Sequence, residues 1–362
     1  MELISSILTV AGISITAFLI TLFLGNFLKN KSNILLIIIL LAFVPLFLSY
    51  NLSLINNEKW ILTIIPFTCF ALILFGPLLY EYAFHFFNSG RQKLFEKRKK
   101  YIPFLVILFL IILSYFILNE EAYAIILIVS LGFSFIHLFY YLVVLIKYQL
   151  KSTKKLKQFY SNLANKDLFW INILIIGLFV VLILDSISGL ITLTIGFKEV
   201  PVVNTLFLLV LIWFLGYYGL TQKRLSEDLD ELKTSIEPDA KIILCQTEEY
   251  QELKRQLITI LNEKELFKME DINLNILSQH INVSSKKVSY LLNQCMNTSF
   301  YDLMNMYRLE AFKTKVEKGE IKEKTILALA FESGFNSKAS FNRIFKQKEG
   351  VSPNEYVKNL NK

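Results

Sequence analysis

The chain is short of the residues on which most enzymes and metalloproteins depend. Its 362 residues include three cysteines, three histidines and seven prolines. Cys69, Cys245 and Cys295 form no C-x-x-C pair, which argues against a disulfide framework and a structural zinc site. There is no H-E-x-x-H, no phosphate-cradling glycine loop, no Ser/His/Asp set and no paired carboxylate within the apolar runs. The expectation is therefore no catalytic residue, no cofactor and no metal. Neither Lys nor Arg precedes Lys29, so the basic leader of a cleavable signal peptide is missing and the first apolar run is expected to stay in the protein.

Apolar residues, in contrast, are abundant. They make up 54% of the chain, phenylalanine alone occurs 31 times, and the excess lies almost wholly before Gln222. A helix of about 20 apolar residues crosses the hydrocarbon core. Seven such runs are readable, at about 5–28, 33–54, 60–82, 102–118, 122–146, 168–193 and 200–221. Basic residues alternate strictly along the links between them. The links at 29–32, 88–101 and 147–167 carry two, six and six Lys or Arg. The N-terminus and the links at 55–59, 119–121 and 194–199 carry none, one, none and one. Cationic loops stay on the cytoplasmic side. The pattern predicts a multi-pass protein of the inner (cytoplasmic) membrane, with its N-terminus outside and its polar tail in the cytoplasm.

Ionisable groups within the runs are few. Asp185 in the sixth is costly in hydrocarbon and is expected to face the bundle interior or a wet cavity. It reads either as a signal-sensing residue or as a structural hydrogen-bonding group beside Ser186 and Ser188. His137 sits among Phe135, Phe139, Tyr140 and Tyr141 as a packing residue, whereas Glu81 and His85 are spaced to pair along one helix. Pro77 after Gly76 predicts a kink. Beyond the last run, Leu225, Leu229, Leu232 and Ile236 form a short heptad-like stripe before Pro238. The stripe reads either as a contact with a second copy of the chain or as a surface helix packed on its own protein.

The polar tail carries the same pattern twice. In 273–294, Leu274, Leu277, Ile281, Val283 and Val288 bury one side of two short helices. Asn282 suits the turn between them, and Ser284 or Ser285 caps the second. Ser285, Lys286, Lys287, Ser289 and Tyr290 then fall in the turns that meet DNA in a helix-turn-helix. In 325–347, Ile326, Leu329 and Ala330 form the buried stripe, Gly334 permits a positive φ and Phe335 plugs the core. The second helix there is basic, and Ser337, Lys338, Ser340, Asn342, Arg343 and Lys346 are its candidate DNA contacts. No acid lies between Ser337 and Lys348, so this face suits phosphates and a major groove. Between the motifs, Phe300, Leu303, Met306, Leu309 and Phe312 follow helical spacing. A connector of about 28 Å approaches the roughly 34 Å of one DNA turn.

The tail, over about 258–360, resembles the AraC-type DNA-binding domain. The resemblance rests most on Gly334, Phe335, Phe341, Arg343, Phe345, Lys346, Gly350, Pro353 and Tyr356, with Phe300, Tyr307 and Arg308 matching the connector. The family commonly has Arg after the final Tyr, where this chain has Val357 followed by Lys358. The resemblance implies a transcription regulator. The expected fold class is all-α, a seven-transmembrane bundle at 1–221, a linker at 222–247 and a cytoplasmic AraC-type domain at 248–362 whose two helix-turn-helix motifs are joined by a long helix. The expected function is a membrane-anchored one-component regulator and not an enzyme. The other reading is a membrane transporter or enzyme with a regulatory or protein-interaction tail. The expected partners are double-stranded DNA, the lipid bilayer, an unidentified signal ligand and RNA polymerase, with pairing to a second copy left open.

Overall fold

Every regular element among the described residues is a helix, and the one β-type pairing is a single antiparallel bridge between Tyr160 and Asn273. The computed structural model describes residues 2–25, 33–52, 60–87, 98–163, 168–195, 202–222 and 245–360. The stripe from Leu225 to Ile236, and most of the links whose charge set the expected topology, lie outside these residues.

The apolar part forms α1 (Glu2–Gly25), α2 (Asn33–Leu52), α3 (Trp60–Phe87), α4 (Ile102–Ile117), α5 (Glu120–Lys157), α6 (Phe169–Ile195) and α7 (Val202–Thr221). Seven apolar helices therefore match the seven runs in place, but not all have the length of a span. Leu3–Gly25, Thr68–Phe87, Glu120–Lys157 and Val202–Thr221 are long and apolar enough to cross a membrane. Asn33–Ser49, Ile102–Ile117 and Phe169–Leu184 are shorter apolar stretches, so the seven spans read from the sequence become four by this measure. The reason is plain for α4, whose 16 residues reach about 24 Å, short of a hydrocarbon core of about 30 Å.

The helices cluster into two units, Met1–Lys151 with Asn165–Ser226, and Ser152–Ala164 with Glu227–Lys362. In the first, α2 packs on both α1 and α3, and α7 packs on α1 and α6. Phe43, Phe47 and Phe75 fill the centre. Gly216 lets α7 approach α1, because a Cβ there would stand 2.7 Å from a methyl of Leu19. Outward faces are apolar too: Phe18, Phe109, Phe116, Ile136 and Trp213 are all exposed. Some of the polar groups inside the unit pair with one another. Asn172 Nδ2 donates to Gln149 Oε1 at 2.7 Å. Glu81 Oε1 lies 3.2 Å from His85 Nε2, as the i,i+4 spacing predicts, and its other oxygen is bound by Lys100. The His137 ring stacks with Phe133 and packs at a tilt on Tyr141. Both Pro66 and Pro77 lie inside α3. Asp185 lies in α6, but its side chain is outside those described.

The second unit contains α8 (Glu248–Lys264), α9 (Leu274–His280), α10 (Ser285–Tyr290), α11 (Phe300–Glu317), α12 (Ile326–Glu332), α13 (Lys338–Glu349) and α14 (Pro353–Leu360). Side chains start most of them. Asn273, Ser284, Ser299, Thr325 and Ser337 each accept from a backbone N–H of the first turn of α9 to α13. At α14, Ser352 and Glu355 cap each other's N–H, a capping box. Five such caps at about 1 kcal/mol each are substantial support for helices of six to eighteen residues. Phe312, Phe335, Phe341 and Phe345 form an edge-to-face aromatic core between α11, α12 and α13.

A candidate nucleic-acid interface

Two helix pairs, α9 with α10 and α12 with α13, precede and follow α11 in the chain. In the first, Asn282 takes φ +54° at the turn, and Ser284, rather than Ser285, is the cap. Ser285 instead turns inward, donating to Asn275 Oδ1 at 2.6 Å and meeting Ser278 Oγ at 2.9 Å. Ser278 is satisfied at its packed position by this contact and by donating to Asn275 O at 2.8 Å. Ser289, a candidate contact from the sequence, is buried, and its oxygens accept from Asn293 Nδ2. The six-residue helix turns that position toward the core. Lys287 is engaged by Glu249 and lies over the Tyr250 ring, while Tyr290 packs against that same ring. Of the five residues expected to face DNA here, Lys286 is the one that is exposed.

The second pair follows the sequence closely. Gly334 has φ +98°, and a Cβ on it would stand 2.6 Å from the Phe267 carbonyl oxygen, so glycine is required twice over. Phe335 plugs the core, and Ser337 caps α13 by accepting from Ser340 N at 3.2 Å. The helix buries Phe341, Ile344 and Phe345 and exposes Lys338, Asn342, Arg343 and Lys346, with Ser340 half-buried. The Val357 that replaces the usual Arg joins the hydrophobic core.

Pairing separates reading cations from structural ones. Lys313, Lys315 and Lys324 are bound by Glu310, Glu349, Glu320 and Glu332. Lys315 and Lys324 hold the Glu332 carboxyl down at about 2 and are themselves raised by it. Lys286, Lys338, Lys346 and Lys348 make no ion pair among the described residues. Arg343 donates from Nη2 to the Tyr301 hydroxyl at 2.6 Å, which orients the guanidinium and leaves its other donors facing outward.

The connector α11 has 18 residues, about 27 Å at roughly 1.5 Å each. Its buried stripe is Phe300, Leu303, Met304, Leu309, Phe312 and Val316. Met306, counted in the stripe from spacing, is exposed, because the face passes through 304 and 308 instead. Arg308 is 1% exposed, the largest fully buried side chain among the described residues. Its donors reach Phe267 O at 2.7 Å, Met269 O at 3.2 Å, Ser161 Oγ at 3.2 Å and Ser161 O at 3.4 Å. Burial pushes its pKa down to about 10, with Tyr301 acting in the opposite sense. Sequence reasoning missed this use of Ser161, which lies 147 positions from Arg308. The signal that was present is the aromatic pair Phe159–Tyr160 at the end of a basic loop, where a solvated link has no need of aromatics.

Cys245 and Cys295 form a disulfide within this unit, joining the start of α8 to the end of the first motif, a pairing that cysteine spacing did not suggest. Cys69 is free and buried. Among the described residues no group of three or more metal-ligating side chains comes together.

This is the geometry of a DNA-binding regulatory domain with two helix-turn-helix motifs. Residues 277–359 match the helix-turn-helix domain family of AraC type. A relative from Staphylococcus aureus (strain COL), described as an uncharacterized HTH-type transcriptional regulator, is 30% identical over 92 residues, which is 25% of this chain. The match spans about an eighth of that relative's own length, 12%. No solved structure matches the chain.

Proposed function

We propose that the protein is a membrane-anchored one-component transcription regulator, with a membrane domain at 1–221, a linker at 222–247 and a DNA-binding domain at 248–362. The observation that carries this reading is the set of exposed cations without an ion pair among the described residues, Lys286 on α10 and Lys338, Arg343 and Lys346 on α13, presented by capped helices before and after the connector. The second helix of each motif enters the major groove, where Lys338, Asn342 and Arg343 meet base edges and phosphates, while Ser337, Ser340 and Lys346 line the approach. The first motif contributes Lys286, with Lys287 and Tyr290 at its margin.

Membrane anchoring is supported by four helices of spanning length, by three shorter apolar helices and by the apolar faces they expose. A surface of that kind suits lipid and is a liability in water. The excess of Lys and Arg on alternate links supports a DNA reader on the cytoplasmic side of the inner membrane. In this reading the bundle senses a signal ligand, Asp185 is the candidate sensing residue, and RNA polymerase is the partner that transmits the output.

Genome-wide crosslinking of the full-length protein tests the reading, with an Arg343→Ala, Lys338→Ala double variant beside it. Discrete peaks that vanish in the variant are expected. Their absence under all growth conditions would refute it.

A further inference from the structure

The DNA-binding unit is not built from the C-terminal tail alone. Residues 152–163, the last turns of α5 and the residues that follow them, cluster with it. Their contacts fall at three functional points. Phe159 O accepts from Leu274 N at 2.9 Å, and Tyr160 forms the bridge with Asn273, the cap of α9. The first N–H of that helix has no partner within it, so this carbonyl satisfies a group that would otherwise be orphaned. Ser161 Oγ donates to Ile272 O at 3.0 Å and, with its own carbonyl, supplies two of the four acceptors of buried Arg308. Lys157 lies 5.2 Å from the centre of the Tyr301 ring, whose hydroxyl holds Arg343 of the second reading helix. Leu163 packs against the aromatic core. One short segment thus touches the start of the first motif, the buried guanidinium of the connector and the residue that positions the second motif.

We propose that residues 152–163 are a regulatory strap: docked, they hold both motifs in the reading conformation, and undocked, they lower affinity for DNA. The strap begins within the last turns of α5 and the chain runs on from it toward α6, so a change in the bundle reaches it by covalent connection at both ends. The signal then acts through the link between α5 and α6 and does not depend on the segment after α7. This rests on the reading of the protein as a membrane-anchored regulator.

The test uses the full chain in lipid nanodiscs. Amide exchange is followed at Leu274 and Ile276, with Phe341 and Ile344 of α13 as the folding control, in the wild type, in Ser161→Ala, and in a triple variant Phe159→Ala, Tyr160→Ala, Ser161→Ala. Affinity for a crosslinking-derived duplex is measured on the same samples. The strap predicts that exchange at Leu274 accelerates by at least about tenfold in the triple variant and less in Ser161→Ala, with α13 unchanged. It predicts a fall in duplex affinity of about tenfold. Equal exchange in all three proteins would overturn the docking. Faster exchange with undiminished affinity would overturn the regulatory role. A clear exchange contrast in a wild type that binds no duplex would sink the DNA-reading assignment and leave the docking intact.

Discussion

Arg343 is the side chain on which the reading face can be tested most sharply, because one of its nitrogens is already committed. Its Nη2 donates to the Tyr301 hydroxyl at 2.6 Å, and Tyr301 is 4% exposed, so the anchor is rigid. The remaining donors face away from the protein. Arg343→Ala removes the charge and the fork together, which at a base contact weakens binding by about 1–3 kcal/mol, or roughly 5- to 160-fold. Tyr301→Phe keeps the ring in the core and removes only the hydroxyl. The expected loss is that of one hydrogen bond, about 0.5–1.5 kcal/mol, or roughly 2- to 13-fold in Kd. Because Tyr301 acts through Arg343, the two losses do not add: in an Arg343→Ala background, Tyr301→Phe changes nothing further. Fluorescence anisotropy with the full-length protein and a labelled duplex reads all four corners of the cycle. A salt titration adds a second readout, since loss of a phosphate contact flattens the slope by about one counterion and weakens all sequences alike. Additive losses, or an Arg343→Ala protein whose Kd stays within about twofold of wild type, would refute the placement of this helix in the groove.

Three further outcomes follow from the same geometry. Gly334→Ala forces a Cβ onto a φ of +98° beside the Phe267 carbonyl; strain of about 1–3 kcal/mol, with the clash added, should raise amide exchange across α12 and α13, and unchanged protection there would contradict the turn. Opening Cys245–Cys295, a closure over 50 positions, removes up to about 4 kcal/mol in the chain-entropy picture; reductant should therefore speed exchange in α8 and α10, an effect absent from a Cys245→Ser, Cys295→Ser variant. Glu332 is depressed to about 2 from 4.5, first by the hydrogen bonds from Lys315 and Lys324. Its contribution is complete above pH 4.5 and is lost as pH falls toward 2. Exchange in α12 should rise across that window in the wild type and stay flat in Glu332→Gln.

Local chemistry made much of this protein legible in one dimension. The seven apolar runs became seven helices because continuous apolar sequence leaves the backbone no partner but itself. The second motif was readable at its turn, since Gly334 permits a positive φ and Phe335 fills the core. The first motif was readable as a helix pair but not as a surface. Ser289 and Ser285 turn inward and Lys287 is drawn to Glu249, because a six-residue helix takes its orientation from its neighbours. Span length was overread, since hydropathy marks where a helix lies more reliably than how far it runs.

Tertiary structure alone decided the contacts between distant segments. Nothing in the sequence near Arg308 marks it as buried on Ser161, and nothing near Cys245 marks Cys295 as its partner. Periodicity and capping act over three or four residues, so they are written locally. A guanidinium that finds its acceptors 147 positions away depends on how the whole unit closes, and no local pattern carries that information.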